Sequence, residues 1–384
     1  MLPTPRARAA SLADVLRSCL DSALGTTNRL ELPPVDRAVV VLIDGLGAAP
    51  LRERAGHARV LAGAMATKAD IITTGVPTTT AAALATLTTG VNPGEHGIVG
   101  YSAVDPAHDR VVNQLRGWDA GMRPERWQPV PTLFEQAEAA GLDAVVIGDA
   151  KYRDSGFTKA VLRGARYLDG RRPADRAAVL QALLADASWR GIAYVYLPEL
   201  DQAAHQFGWR SREWTTALET ADAAVASVLP ALSPRSLGPR TGLLVTADHG
   251  MVDVPPHGHI VLEPGAALLR GVRHVAGEPR MLHLHADDTS PPAIEALAAR
   301  WHAAEGSRAW IVTREEAIAS GWFGAVRPEV LGRIGHVLVA ARALVAYATR
   351  AQEDGGAGTM IGQHGSWTPE ESRVPLLRFG AFSR

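Results

Sequence analysis

Cysteine is almost absent from the chain: Cys19 is the only one in 384 residues. That excludes an internal disulfide and a multi-cysteine zinc site, and it fits a reducing compartment. Net charge is lacking too. Thirty-nine Lys and Arg against 40 Asp and Glu leave a formal −1. No long-range field draws in a polyanion, so a nucleic-acid polymer is not an expected partner, and any phosphate recognition must come from a local site. No run approaches the roughly 20 apolar residues of a membrane span. The N-terminus carries Arg6 and Arg8, but no long apolar stretch follows them as in a secretory signal. Residues 11–24 read instead as an amphipathic helix with Leu12, Val15, Leu16, Cys19 and Leu20 on one side. Neither an internal repeat nor a heptad pattern is found. The expectation is a soluble, cytoplasmic protein without a membrane partner; the oligomeric state stays open.

Apolar residues are plentiful, at 47%, enough for the core of one large α/β domain or one domain with an inserted cap. Short apolar, β-branched runs recur at 38–43, 143–147, 192–197 and 242–247. Each is continuous and ends in loop-type residues, as strands buried on both faces do. Helical patterns at 80–89, 131–140, 175–186 and 212–229 alternate with them. This order predicts an α/β fold with a doubly wound, mainly parallel sheet. Segment 262–357 differs in texture. Strand-like pieces at 270–275, 281–285, 309–313 and 335–340 surround a helix at 291–303, and Gly and Pro punctuate it. It reads as a small inserted α+β cap, with 1–261 and 358–384 forming the catalytic core. Residues 353–359 read as a flexible loop leading back.

Asp and His recur at the ends of these runs. Asp44 closes Val-Val-Val-Leu-Ile-Asp-Gly, Asp201 and His205 lie four apart, Asp248 and His249 follow a third run, and His364 sits in Gly-Gln-His-Gly. Each has a plain reading. Asp44-Gly45 is a common turn pair, Asp201 and His205 fit a solvated helix face, and His364 alone fits a surface loop. Asp248-His249 at a strand end, followed by Gly250, is harder to explain as packing. Ligands in open α/β sheets bind at the carboxyl ends of strands, so the set reads as one site. Three carboxylates and three imidazoles divide into two three-ligand sites for divalent ions, most simply Zn²⁺. Two such ions clamp the attacking and leaving oxygens of an in-line displacement at phosphorus.

Between these motifs lies Val76-Pro77-Thr78-Thr79-Thr80, ahead of an Ala-rich helix. One of the threonines is expected to cap that helix. A hydroxyl there also sits where anions bind, and a metal beside it would favour the alkoxide, making it a nucleophile. Spacing does not single out which threonine. His257 and His259 follow Asp248-His249 closely enough to approach the ions, although loop histidines are usually only exposed.

Taken together, these motifs, with Thr89-Gly90-Val91-Asn92-Pro93-Gly94-Glu95-His96-Gly97-Ile98-Val99-Gly100, resemble the nucleotide pyrophosphatase/phosphodiesterase family of the alkaline phosphatase superfamily, in its compact bacterial form. The resemblance runs from Val39 to Met251 and again from Gly362 to Gly365. It implies an alkaline-phosphatase-type sheet and two zinc ions. It places Asp44, Thr80, Asp248 and His249 at one ion and Asp201, His205 and His364 at the other, with Thr80 as nucleophile and His96 structural. The family usually carries an Asn a few residues after His-Gly-Ile that holds a non-bridging phosphate oxygen. Here that slot is Tyr101, whose phenol can donate one hydrogen bond from further away. Base-sandwiching aromatics are not evident at the matching places.

The implied activity is hydrolysis of phosphate diesters or pyrophosphates through a phosphothreonine, with a small phosphate ester as substrate. No Arg or Lys falls inside the motifs, which favours diesters over monoesters. The nucleophile loop lacks the Cys or Ser with Pro-x-Arg of a sulfatase. Alternatives are a phosphomonoesterase or phosphonate hydrolase on the same site, a phosphoryl transferase, and a metal-binding protein without hydrolase activity.

Overall fold

The computed structural model describes residues 2–5, 9–232, 239–354 and 360–384. A seven-stranded sheet forms its centre. We label the strands β1 (Arg37–Ile43), β2 (Ile71–Thr73), β3 (Asp143–Gly148), β4 (Arg166–Asp169), β5 (Gly191–Leu197), β6 (Thr241–Thr246) and β7 (Arg373–Gly380), in the spatial order β2-β7-β6-β1-β5-β3-β4. The five strands from β6 to β4 are parallel. All seven residues of β1 and all six of β6 are buried, which is why those runs read as uninterrupted Val, Leu and Ile rather than alternating. Helices Leu133–Ala139, Pro173–Ala185 and Arg212–Val228 connect or flank these strands, within two residues of the expected bounds at every end. Helix Ala13–Ala23 buries Val15, Leu16, Cys19 and Leu20 against the same core, as does Leu12 at its N-cap.

β7 was not foreseen. It runs antiparallel, pairing with β2 over Arg373–Pro375 and with β6 from Leu376 onward. Pro375 sits where the partner changes, and a proline inside an apolar run weakens its reading as a strand.

A second sheet has six strands in the order 309–313, 337–341, 281–286, 272–278, 102–105, 110–113, all antiparallel. Segment 262–357 supplies four of them, and helix Pro291–Glu305 packs on the sheet through Leu297 and Trp301. The hairpin Ser102–Asp105 and Arg110–Asn113 supplies the other two, so 262–357 does not build this sheet alone. In the expected loop at 353–359, Glu353 and Asp354 belong to the short helix Arg350–Asp354, and 355–359 lie outside the described residues.

Candidate active site

The carboxyl ends of β1, β5 and β6 converge. Asp44 leaves β1 in a turn, and Gly45 takes φ +73 with its missing Cβ only 3.2 Å from Asp201; the pair is both a turn and a functional position. Asp201 stands in the first turn of helix Glu199–Phe207, and His205 follows on the same face. Asp248 and His249 follow β6. A Cβ on Gly250 would lie 2.0 Å from the Glu370 carbonyl oxygen, so only glycine lets the chain turn there. His364 follows the two-residue strand Gly362–Gln363, which pairs with Val252–Asp253.

The six side chains form two groups of three, with ligand atoms within 4.8 Å of one another in each: Asp44, Asp248 and His249, and Asp201, His205 and His364. His249 Nε2 lies 3.4 Å from Asp44 Oδ1 and 3.5 Å from Asp248 Oδ2. His205 Nε2 lies 3.4 Å from Asp201 Oδ2, and His364 Nε2 3.9 Å from Asp201 Oδ1. The Nδ1 atoms of His205, His249 and His364 lie at 2.8, 3.1 and 2.8 Å from the carbonyl oxygens of Gly362, Gly250 and Thr78. A carbonyl only accepts, so each Nδ1 carries a proton, which leaves Nε2 facing its group as the atom a metal would take.

These groups are costly without a cation. Burial, then the charges of Asp248 and Asp201, push the Asp44 carboxyl well above the usual range. Burial also raises Asp248. Burial, with His249 and His205 beside it, holds His364 well below the ordinary histidine value. Asp44 Oδ1, Asp201 Oδ1 and Asp248 Oδ2 are buried with no hydrogen-bond partner among the described residues. Unpaired buried carboxylate oxygens facing imidazole Nε2 atoms fit two divalent ions with O/N ligands.

Thr80 opens helix Thr80–Thr89, every residue of which is buried. Its Oγ1 is 3.2 Å from His249 Nε2, so among the three threonines it is the one that reaches the first group. The expected side-chain cap is not made. Thr79 holds the N-cap position without a capping hydrogen bond. Thr78 Oγ1 donates to the Ser366 carbonyl at 2.7 Å and accepts the Gly365 N–H at 3.0 Å. The first-turn N–H groups therefore lack a side-chain acceptor beside the Thr80 hydroxyl.

A pocket of about 570 Å³ opens over Thr80, Asp44, Asp201, His205 and His364. Tyr101 lines it, half-buried, its N–H donating to Glu278 Oε2 at 2.7 Å. Sequence reasoning missed its other walls. Phe157, Leu162, Tyr152, Tyr167 and Tyr196 form an aromatic and apolar recess, Arg116 adds a positive charge, and Glu278 adds a buried carboxyl group. The Tyr196 hydroxyl donates to Asp44 Oδ2. Tyr194 and Tyr196, two apart near the end of a strand run, were a readable signal because they share one sheet face. Arg116 and Glu278 come from the second sheet and its hairpin, and no local pattern marks them.

The remaining histidines lie apart from both groups. His96 is buried, within 3.0 Å of Thr86 Oγ1 and accepting the Ile98 N–H at 3.1 Å; burial lowers it to about 3, so it stays neutral. His257 is exposed in a turn, and His259 Nε2 lies 3.3 Å from the Val254 carbonyl oxygen. His259 lines a separate cleft of about 990 Å³ that contains none of the eight predicted site residues.

The sequence profile of type I phosphodiesterase / nucleotide pyrophosphatase matches residues 38–367. The chain belongs to this family. It is a phosphoric ester hydrolase. Similar folds include phosphonoacetate hydrolase from Sinorhizobium meliloti 1021 in complex with phosphonoacetate, at 18% identity and TM-score 0.69 over 90% of this chain and 91% of that one. Murine ectonucleotide pyrophosphatase/phosphodiesterase 5, as an inactive threonine-to-alanine form with AMP, is 17% identical with TM-score 0.64 over 90% and 88%. Its human counterpart is 15% identical with TM-score 0.65 over 90% of each chain. This family member therefore shares their central, mostly parallel sheet. No helix among its described residues is long and apolar enough to cross a membrane.

Proposed function

We propose that this chain hydrolyses phosphate diesters or pyrophosphates through a phosphothreonine on Thr80, with two divalent ions, Zn²⁺ in the simplest case. Asp44, Thr80, Asp248 and His249 would hold one ion; Asp201, His205 and His364 would hold the other. The observation that carries this reading is the Thr80 hydroxyl, 3.2 Å from His249 Nε2 at the start of a buried helix. The inactive threonine-to-alanine form of the murine neighbour supports it. When bound, such ions lower the proton affinity of a nearby hydroxyl and neutralise charge on the attacking and leaving oxygens.

The protein's own groups do the rest. Thr80 Oγ1 gives up its proton to solvent and attacks phosphorus in line, the Oγ1–P bond forms, and the bond to the leaving oxygen breaks with its electron pair, that oxygen taking up a proton from solvent. Water then displaces Thr80 by a second in-line attack. The first-turn N–H groups of helix Thr80–Thr89 and the Tyr101 phenol hold the non-bridging oxygens. The aromatic recess takes the organic group of the substrate, and segment 262–357, with Glu278, caps one side. Buried, unpaired Cys19 supports a cytoplasmic setting.

Arg116 favours a second reading. It lines the pocket with an exposed side chain and no ion pair among the described residues. A guanidinium there suits additional negative charge, as in a monoester or a phosphonate carrying a carboxylate. Chromogenic mono- and diesters assayed side by side, with zinc added and chelated, test both. Zinc-dependent diester turnover supports the first reading; faster monoester or phosphonate turnover supports the second. Zinc binding without turnover of any ester contradicts both.

A further inference from the structure

The two ligand groups are not built alike. In the first, every side chain has its non-ligating side fixed. Asp248 Oδ1 accepts the Gly45 N–H at 3.2 Å and the His249 N–H at 3.1 Å, and His249 Nδ1 is held by the Gly250 carbonyl. Asp44 Oδ2 accepts the Tyr196 hydroxyl, leaving Oδ1 with no partner. In the second group the two histidines are held by carbonyls, but among the described residues no hydrogen bond fixes the Asp201 side chain: Oδ1 is unpartnered, and its close contacts are His205 and His364. Exposure follows the same division. The side chains of Asp44, Asp248 and His249 are 2%, 0% and 0% exposed, against 12%, 24% and 10% for Asp201, His205 and His364.

Tyr196 is itself held firmly. It lies at the carboxyl end of β5, its ring stacks on Tyr194 at 6.4 Å and 20°, and Tyr152 meets its edge at 6.3 Å. The phenol oxygen therefore reaches Asp44 from a ring with little freedom to move. A carboxylate fixed through one oxygen presents the other at lower entropic cost when an ion arrives, and loss of such an outer contact typically weakens metal binding about 10–100-fold.

We propose that Tyr196 is a positioning residue for Asp44 and that this contact makes the Asp44–Asp248–His249 group the tighter of two unequal ion sites. The proposal rests on the two-ion reading above. It assigns a role to a residue that neither reaches phosphorus nor binds an ion, and it predicts ordered loading: the first group fills at low free zinc and the Asp201 group fills later.

Zinc titration of the metal-free full-length protein against a chromogenic chelator tests it, with bound ions counted by elemental analysis. The wild type should take up two ions in two separate steps. Tyr196→Phe should weaken the tight step about 10–100-fold and leave the weak step in place. Tyr194→Phe is the control, since the Tyr194 hydroxyl has no partner; its curve should match the wild type. His364→Ala should remove the weak step and keep the tight one, which tests the assignment even if Tyr196→Phe does not fold. Two equal steps in the wild type, an unchanged tight step in Tyr196→Phe, or loss of the tight step in His364→Ala would each overturn this inference alone. A wild type that binds no zinc would overturn the two-ion reading as well.

Discussion

His249 stacks on His364 with ring centroids 3.6 Å apart and planes 14° from parallel. This contact joins the two ligand groups, because each ring presents Nε2 to its own carboxylates. His249 also lies against the Thr80 hydroxyl, so one imidazole touches the proposed nucleophile, the first group and the second group's histidine.

Thr80→Ala is therefore expected to lower diester turnover by roughly three orders of magnitude or more. Zinc content should stay at two ions, since the Asp and His ligands remain. Steady-state rates and elemental analysis of the same preparation check this. Undiminished turnover would remove Thr80 from the mechanism.

Chelation should have a pH-dependent effect on stability. Asp44 and Asp248 are raised above the ordinary carboxylate range by burial, with like charge adding at Asp44. A raised carboxyl stabilises the metal-free fold below its unfolded value and loses that contribution as pH rises towards its folded value. The metal-free protein should thus melt at lower temperature as pH rises above the ordinary carboxylate range, while the zinc-loaded form does not follow. Thermal scans with and without chelator read the gap, which should widen with pH. A constant gap would mean that these carboxylates carry no such repulsion.

Glu278 gives a second pH signature. Burial raises its carboxyl from 4.5 to about 8, and Oε1 has no partner. Its stabilisation is complete below about 4.5 and is lost as pH rises through about 8. Glu278→Gln keeps the shape and stays neutral, so the variant should gain on the wild type in melting temperature between those values. Parallel melting curves across that window would count against a buried, neutral Glu278.

The loop carrying His364 is held by a buried ion pair. Arg280 Nε and Nη2 reach Glu371 Oε1 and Oε2 at 2.7 and 2.8 Å. Glu371 also accepts the Ser366 N–H at 3.0 Å and the Thr368 hydroxyl at 2.6 Å. Gly250 N–H donates to the Glu371 carbonyl at 2.7 Å, linking the same residue to the Asp248-His249 turn. Arg280→Leu leaves a buried carboxylate unpaired and should cost about 3–5 kcal/mol. Denaturant unfolding measures this; a loss under about 1 kcal/mol would show that the pair holds little.

Much of this was legible because the deciding signals are local. The buried parallel strands appear as Val39-Val40-Val41-Leu42-Ile43 and its counterparts, and the Asp and His residues stand at their ends. Helix Thr80–Thr89 is marked by its alanines and by Gly90, which closes it at φ +73. What was not legible depends on distant pairing. β7 is interrupted by Pro375, and its two partners are far away in sequence. The hairpin at 102–113 joins strands that come more than 150 residues later, and only that pairing brings Tyr101 beside Glu278. The aromatic recess combines Tyr152, Phe157 and Tyr167 from separate elements around β3 and β4 with Tyr196 from β5, so no one segment shows it.

The stereochemical course at phosphorus tests the central claim most directly. A diester made chiral at phosphorus with sulfur and oxygen isotopes can be hydrolysed in isotopically labelled water and its product configuration determined. Two in-line displacements, by Thr80 and then by water, predict net retention. Net inversion would show that water attacks phosphorus in a single step and would contradict a phosphothreonine on Thr80.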